Sequence, residues 1–289
     1  MKRQQTLANR VAILGLGLIG GSLALALKRA GAVSEIVAWG RDQQRLDKAV
    51  ALGIVDSATT DMASAVAAAD VVVMATPLGT MSSMFDQLIP VLPSKAVITD
   101  VGSAKTRLIE LARTRLAENF TRFVPGHPVA GAEHSGFEAA NADLYKNRRV
   151  ILTPVSDTDA SALKLVEQLW QCCGAELVSM DPQSHDEILA LTSHLPHAIA
   201  YLLVDLLLQQ GGGDARRFAA GGFYDITRIA SSSPEMWCDI FNDNKDSVVK
   251  LMDHYIDSLS AFKQAIAEGD NDTLMRVMQR AKSTRDDLV

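Results

Sequence analysis

Six histidines stand in this chain of 289 residues, and their neighbours separate them. His127 lies in Pro125-Gly126-His127-Pro128-Val129-Ala130-Gly131-Ala132-Glu133-His134-Ser135-Gly136, directly after a β-rich run at 122–124. Imidazole has the ordinary pKa best suited to taking a proton near neutral pH. Open α/β sheets bind ligands beyond the C-terminal ends of their strands, which is where His127 falls. The same position is predicted for Thr99-Asp100-Val101-Gly102-Ser103-Ala104-Lys105, in which Ser103 could also cap a helix over 104–117. A third cluster joins His194-Leu195-Pro196-His197 to Gly221-Gly222-Phe223-Tyr224-Asp225-Ile226-Thr227-Arg228. His194 and His197, at i and i+3, face one way on a helix that Pro196 should bend. Their spacing would also suit a metal, but no helical third ligand is evident, and no metal is expected. Arg228 offers a two-pronged donor to a carboxylate. His134, His185 and His254 receive no role.

Gly15-Leu16-Gly17-Leu18-Ile19-Gly20 matches G-x-G-x-x-G after a β-rich run (11–14) and before a helical stretch (22–30), the context that makes the pattern informative. Gly15 allows the tight turn, Gly17 a close approach of backbone to a pyrophosphate, and Gly20 close packing of helix on sheet. Leu18, Ile19 and, after the run 71–75, Thr76 join them as cofactor-contacting positions. The next strand, 35–39, ends in Gly40-Arg41-Asp42. An acid at its tip would bind the ribose 2′-OH of NAD, whereas Gly40 leaves room and Arg41 offers a fork for a 2′-phosphate. NADP is therefore favoured, with NAD kept open by Asp42.

These clusters need a scaffold. β-rich runs at 10–14, 35–39, 71–75, 96–99, 122–124, 149–153 and 175–180 alternate with amphipathic stretches at 20–30, 43–52, 62–68, 81–92, 105–117 and 160–173. That alternation implies crossover units and a mostly parallel sheet. Beyond Met180 no strand is convincing. Asp181-Pro182 reads as a capped helix start, and 181–210, 234–241, 245–268 and 271–287 suit helices, broken at Gly211-Gly212-Gly213 and Gly221-Gly222. The predicted fold is α/β: a Rossmann-type dinucleotide-binding domain over 1–180, then an all-helical substrate and dimerisation domain over 181–289. The stretch 181–210 would be roughly 45 Å long. It is apolar around most of its circumference, and so small a domain could hardly bury it alone, which points to a dimer core.

Composition sets the outer limits. At 48% hydrophobic and 21% charged, the chain is globular rather than disordered. A net charge of −6 argues against broad nucleic-acid binding. Three cysteines, with Cys172 and Cys173 adjacent, read as reduced thiols of a cytoplasmic protein. Lys2, Arg3 and Arg10 before the apolar run 11–27 imitate a secretory leader. The glycines inside that run and Lys28-Arg29 at its end argue otherwise, and it falls short of the ~20 residues of a membrane span. No membrane association is expected.

Taken in order, the clusters resemble the prephenate/arogenate (cyclohexadienyl) dehydrogenase family, over nearly the whole chain. The resemblance implies oxidative decarboxylation of a cyclohexadienol. Hydride leaves ring C4 for the nicotinamide, a base takes the hydroxyl proton, and the ring carboxylate departs as CO2. Prephenate gives 4-hydroxyphenylpyruvate and arogenate gives tyrosine. By the same resemblance His127 is the base, and Ser103 touches both base and nicotinamide. Arg228 holds the ring carboxylate, while His194 and His197 line the substrate pocket. Glu133 and Asp225 pair with the arginine and gate access, and Trp237 reaches in from the partner subunit of a homodimer. Some relatives carry a chorismate mutase domain before the dehydrogenase or a regulatory domain after it. This chain shows neither, so tyrosine feedback would act at the active site. Tyr224 replaces a cation common in the family, which leaves the choice between prephenate and arogenate open.

Two other readings compete. A β-hydroxyacid dehydrogenase or a pyrroline-carboxylate-type imine reductase would share the architecture, but the former needs a lysine in the stretch 181–210, which has none. A non-catalytic NADP sensor would keep the fold without the chemistry.

Overall fold

The computed structural model describes residues 6–131, 135–210 and 215–288. Six parallel strands form the main sheet in the order β3-β2-β1-β4-β5-β6. They are β1 (Ala8–Leu14), β2 (Val33–Trp39), β3 (Ser57–Thr59), β4 (Val71–Met74), β5 (Val97–Asp100) and β6 (Phe123–Val124). The central strand segments, Val11–Leu14, Ile36–Trp39 and Val71–Met74, are apolar because both faces are covered, as parallel sheets require. Alternate residues of β1 serve opposite sides. Val11 and Ile13 pack under α1 (Leu18–Ala30) and α6 (Ala160–Cys172). Ala12 and Leu14 pack under α4 (Met81–Leu88) and α5 (Thr106–Leu116). Between these helices in the chain come α2 (Gln43–Ala51) and α3 (Met62–Val66). Strand order reverses between β1 and β4, so a crevice opens beyond their C-terminal ends.

A second, three-stranded sheet joins β7 (Gly126–Pro128), β8 (Arg149–Leu152) and β9 (Glu176–Ser179). Sequence reading missed β3 and β7. Each is three residues long, too short to show an alternation, and each exists because a neighbour pairs with it. β7 matters most, since it places His127 opposite Ile151 in an antiparallel register.

The remainder is helical: α7 (Pro182–Leu189), α8 (Leu195–Gln210), α9 (Gly221–Thr227), α10 (Pro234–Asp243), α11 (Lys245–Glu268) and α12 (Asn271–Asp287). Asp181 caps α7 by accepting from the N–H groups of Gln183 and Ser184. Between α7 and α8 the helix widens into a π turn, Ala190–His194. Pro196 has no N–H to return to Thr192, so the ladder loosens just ahead of it. Gly221-Gly222, expected as a break, instead opens α9. The expected break at Gly211-Gly212-Gly213 lies outside the described residues.

The run Pro182–Gln210 is long and apolar enough to cross a membrane by length and composition. Its own chain covers only part of it: Ile188, Leu191, Leu202 and Leu206 are each about half exposed. Further apolar side chains, Ile256, Leu259 and Ile266, stand exposed on α11.

Candidate active site

The glycine loop divides its labour as its spacing predicts. Gly15 has φ +101°, and a Cβ there would lie 2.7 Å from the Ala75 carbonyl oxygen. At Gly20 a Cβ would meet the Gly15 carbonyl oxygen at 2.4 Å and Ile13 at 3.0 Å. At Gly17 it would meet nothing within 4 Å, so no contact within the protein calls for a glycine. That open side lies at the N-terminus of α1, whose first N–H groups lack helical partners and suit a pyrophosphate. Leu18 and Ile19 form the first turn, and the Ile19 carbonyl accepts from the buried Tyr145 hydroxyl at 2.6 Å. Thr76 packs against the Gly15 turn with its buried hydroxyl unpartnered among the described residues. These residues fit a dinucleotide.

At the tip of β2, Gly40 packs over Leu46. Asp42 is engaged elsewhere. Its carboxylate caps α2, accepting from the Arg45 N–H at 3.2 Å. Arg41 is exposed and makes no ion pair among the described residues.

Ser103 lies half-buried in a bend beyond β5. The expected helix cap at Ser103 does not form. α5 begins at Thr106, and its cap comes from α7, some 80 residues further along the chain, where the Asp186 carboxylate accepts from the N–H groups of Lys105 (2.9 Å) and Thr106 (2.8 Å). Asp100 and Lys105, both wholly buried, form an ion pair beneath this bend. Asp100 also accepts from the N–H of Gly102 (2.7 Å) and of Gly126 (3.1 Å), while the Lys105 ammonium donates to the Gly126 carbonyl (2.8 Å). One carboxylate and one ammonium thus clamp the Ser103 bend to the strand carrying His127. Burial pulls the Lys105 pKa down against the opposing charge of Asp100. Removing either partner would leave an uncompensated buried charge.

His127 is 7% exposed. Burial, aided by the charges of His185, Lys105 and His194, holds its pKa well below the usual imidazole value. Its Nδ1 lies 2.8 Å from His185 Nε2. His185 Nδ1 lies 2.8 Å from Asp186 Oδ1. His185, given no role from sequence, is therefore joined to His127. Nothing local announces this contact, because its two members lie 58 residues apart.

The helical part supplies the other wall. His194 is buried, with Nδ1 3.1 Å from Asn244 Nδ2 and Nε2 unpartnered among the described residues. His197 is half-buried, and its Nδ1 donates to the Ser193 carbonyl at 2.8 Å. Its ring stacks on Trp237 with centroids 3.7 Å apart, while His194 meets the same indole edge-on at 5.9 Å. The resemblance placed Trp237 as a visitor from a partner subunit. Here the ring is buried within its own chain, because α10 packs it between His197 and Phe241. Arg228, at the end of α9, is exposed and near enough that its charge helps burial to lower the His197 pKa. Asp225 is exposed on the same short helix. Glu133 lies outside the described residues. α10 also meets the β4 loop directly: Asp239 accepts from the Gly79 N–H at 3.0 Å, where a Cβ would collide with that carboxylate.

Comparison with known proteins accounts for both parts. The family model "Prephenate dehydrogenase, nucleotide-binding domain" matches residues 23–179, and "Prephenate dehydrogenase, dimerization domain" matches 181–280. A cyclohexadienyl dehydrogenase of Zymomonas mobilis is 35% identical over 97% of this chain and 96% of its own length. A prephenate dehydrogenase of Bacillus subtilis is 37% identical over 96% of this chain and 76% of its own. The crystal structure of prephenate dehydrogenase from Aquifex aeolicus, in complex with hydroxyphenyl propionate and NAD+, superposes with a TM-score of 0.92 at 36% identity, covering all of both chains. Two family models that cover most of the chain, with relatives matched over nearly all of it, leave one assignment: the chain belongs to the prephenate dehydrogenase family.

Proposed function

We propose that this protein oxidatively decarboxylates prephenate, arogenate or both, with His127 as the base that removes the hydroxyl proton. One observation carries the reading: a buried imidazole, whose pKa burial holds well below the usual value, sits on a strand that Asp100 and Lys105 clamp to the bend bearing Ser103. A base must be uncharged to take a proton, and it must sit at a fixed place to take it from one hydroxyl. Gly15, Gly17, Gly20 and Thr76 would hold the dinucleotide, whose nicotinamide supplies a hydride acceptor when bound. Arg228 would hold the ring carboxylate, with His197 and Trp237 bounding the substrate beside it and His194 behind them. Asp225 and Glu133 would balance the arginine's charge.

NADP is the preferred cofactor in this reading. The capping role of Asp42 supports it, since that carboxylate is committed to α2, while Arg41 remains available for a 2′-phosphate. A homodimer through the helical part is supported by the half-exposed leucines of α8 and by the name of the matching family model. The three cysteines are unbridged, in keeping with a reducing cytoplasm. The test is an initial-rate assay offering prephenate and arogenate, each with NAD and with NADP. Turnover in any combination supports the reaction and the best one identifies substrate and cofactor. No turnover by folded, dimeric protein overturns the reading.

A further inference from the structure

The hydrogen bonds behind His127 form a directed chain, and the protons can be assigned by elimination. Asp186 begins it. Burial would raise its pKa, but bonds from His185 and from the N–H groups of Thr106 and Lys105 hold it below the usual carboxylate range. Its place at the N-terminus of α5 favours negative charge there as well. An ionised carboxylate only accepts, so His185 Nδ1, 2.8 Å away, carries a proton and donates it. His185 is wholly buried, and desolvation lowers its pKa despite Asp186, so the ring is neutral near pH 7. A neutral imidazole protonated on Nδ1 has a lone pair on Nε2. That lone pair faces His127 Nδ1 at 2.8 Å, which must therefore be the donor. His127 is neutral in its turn, so its Nε2 is left as a bare lone pair. The backbone anchors the chain: Asn244 Nδ2 donates to the Asp186 carbonyl at 2.7 Å.

We propose that His185 and Asp186 are positioning residues that fix His127 in its Nδ1–H form, with Nε2 free to take the substrate's proton. This rests on His127 being the base. When that proton arrives, the O–H bond breaks and the His127 Nε2–H bond forms. The Nδ1 proton can then pass to His185 Nε2, placing the positive charge beside Asp186. No further reactant is needed. A base oriented by a third group is a recurring solution in catalysis, and the wrong tautomer disables it.

Nitrogen NMR of protein labelled at histidine, without substrate, reads the tautomer directly. His127 should be protonated on Nδ1 and bare on Nε2. Asp186→Asn removes the negative charge that faces the His185 Nδ1 proton and would receive the positive charge passed along the chain. It should lower kcat by ~10²-fold or more, with KM for substrate and cofactor nearly unchanged. Because Asp186 also caps α5, a second pair separates orientation from folding. His185→Gln keeps an acceptor for His127 and should retain kcat within about tenfold, whereas His185→Leu should lose ~10²-fold. His127 protonated on Nε2 in the unaltered protein would overturn the proposal. So would full activity in His185→Leu, or equal losses in the Gln and Leu variants. An active His127→Asn would remove the base reading instead, and the NMR would still decide the tautomer.

Discussion

Acid should loosen this fold through its buried histidines, and His194 sets the scale. Its side chain is 1% exposed. Burial brings its pKa from 6.5 to about 4, with His185 and His197 adding to the effect and Asp186 opposing it. Between those two values the unfolded chain binds a proton that the native chain does not. The associated stability is intact above pH 6.5 and is lost as pH falls to about 4. At about 1.4 kcal/mol per pKa unit, the loss is roughly 3 kcal/mol, a large part of a typical folding free energy. His127 and His185, also depressed, act with the same sign. Urea unfolding followed by tryptophan fluorescence, at fixed protein concentration, would be run from neutral pH down to about pH 4 on the native chain and on His194→Leu. The variant loses packing and Asn244's partner at every pH, but only the native chain loses the histidine's proton linkage. The difference between the two curves should therefore change by roughly 3 kcal/mol across the window. Parallel curves would show that the environment of His194 does not depress its pKa, and the reasoning would fail.

Other outcomes follow from the site. His127→Asn should lower kcat by ~10²–10⁴-fold while leaving dinucleotide affinity intact, as measured by steady-state rates and fluorescence titration. Arg228→Ala should raise KM for the cyclohexadienol far more than for the cofactor, and equal effects on both would remove its carboxylate role. Arg41→Ala should weaken NADP selectively, which paired NAD and NADP titrations would reveal. Gly17→Ala and Gly20→Ala should part company: the first should keep its melting temperature and lose dinucleotide affinity, while the second, whose Cβ would strike the Gly15 carbonyl, should lose stability as well.

What the sequence disclosed was local. The turn after β1 depends on six consecutive residues, so the three glycine roles could be read before any coordinates. The start of α7 was equally plain, because Asp181 and Pro182 act within one turn. What stayed hidden depends on partners far along the chain. Ser103 looked like a helix cap because serine often is one, yet Asp186, 81 residues beyond Lys105, does that work. His185 looked idle because its neighbours, Ser184 and Asp186, are ordinary residues for a first helical turn. Only the fold brings it under His127. Lys105 was a polar residue at the start of an expected helix, and nothing local predicted that it would be fully buried against Asp100.

The π turn at Ala190–His194 carries one residue more than a regular helix would use there. His185 and Asp186 precede it, and His197 follows it. Winding the same five residues as ordinary α-helix would make a better helix. It would also rotate everything upstream against everything downstream by roughly 100°. The wall that carries His185 and Asp186 and the wall on which His197 stacks would then no longer face the same space. Regularity and register are at odds in this segment, so a search for stabilising substitutions that rewarded helix quality alone would select against the geometry that joins the two walls.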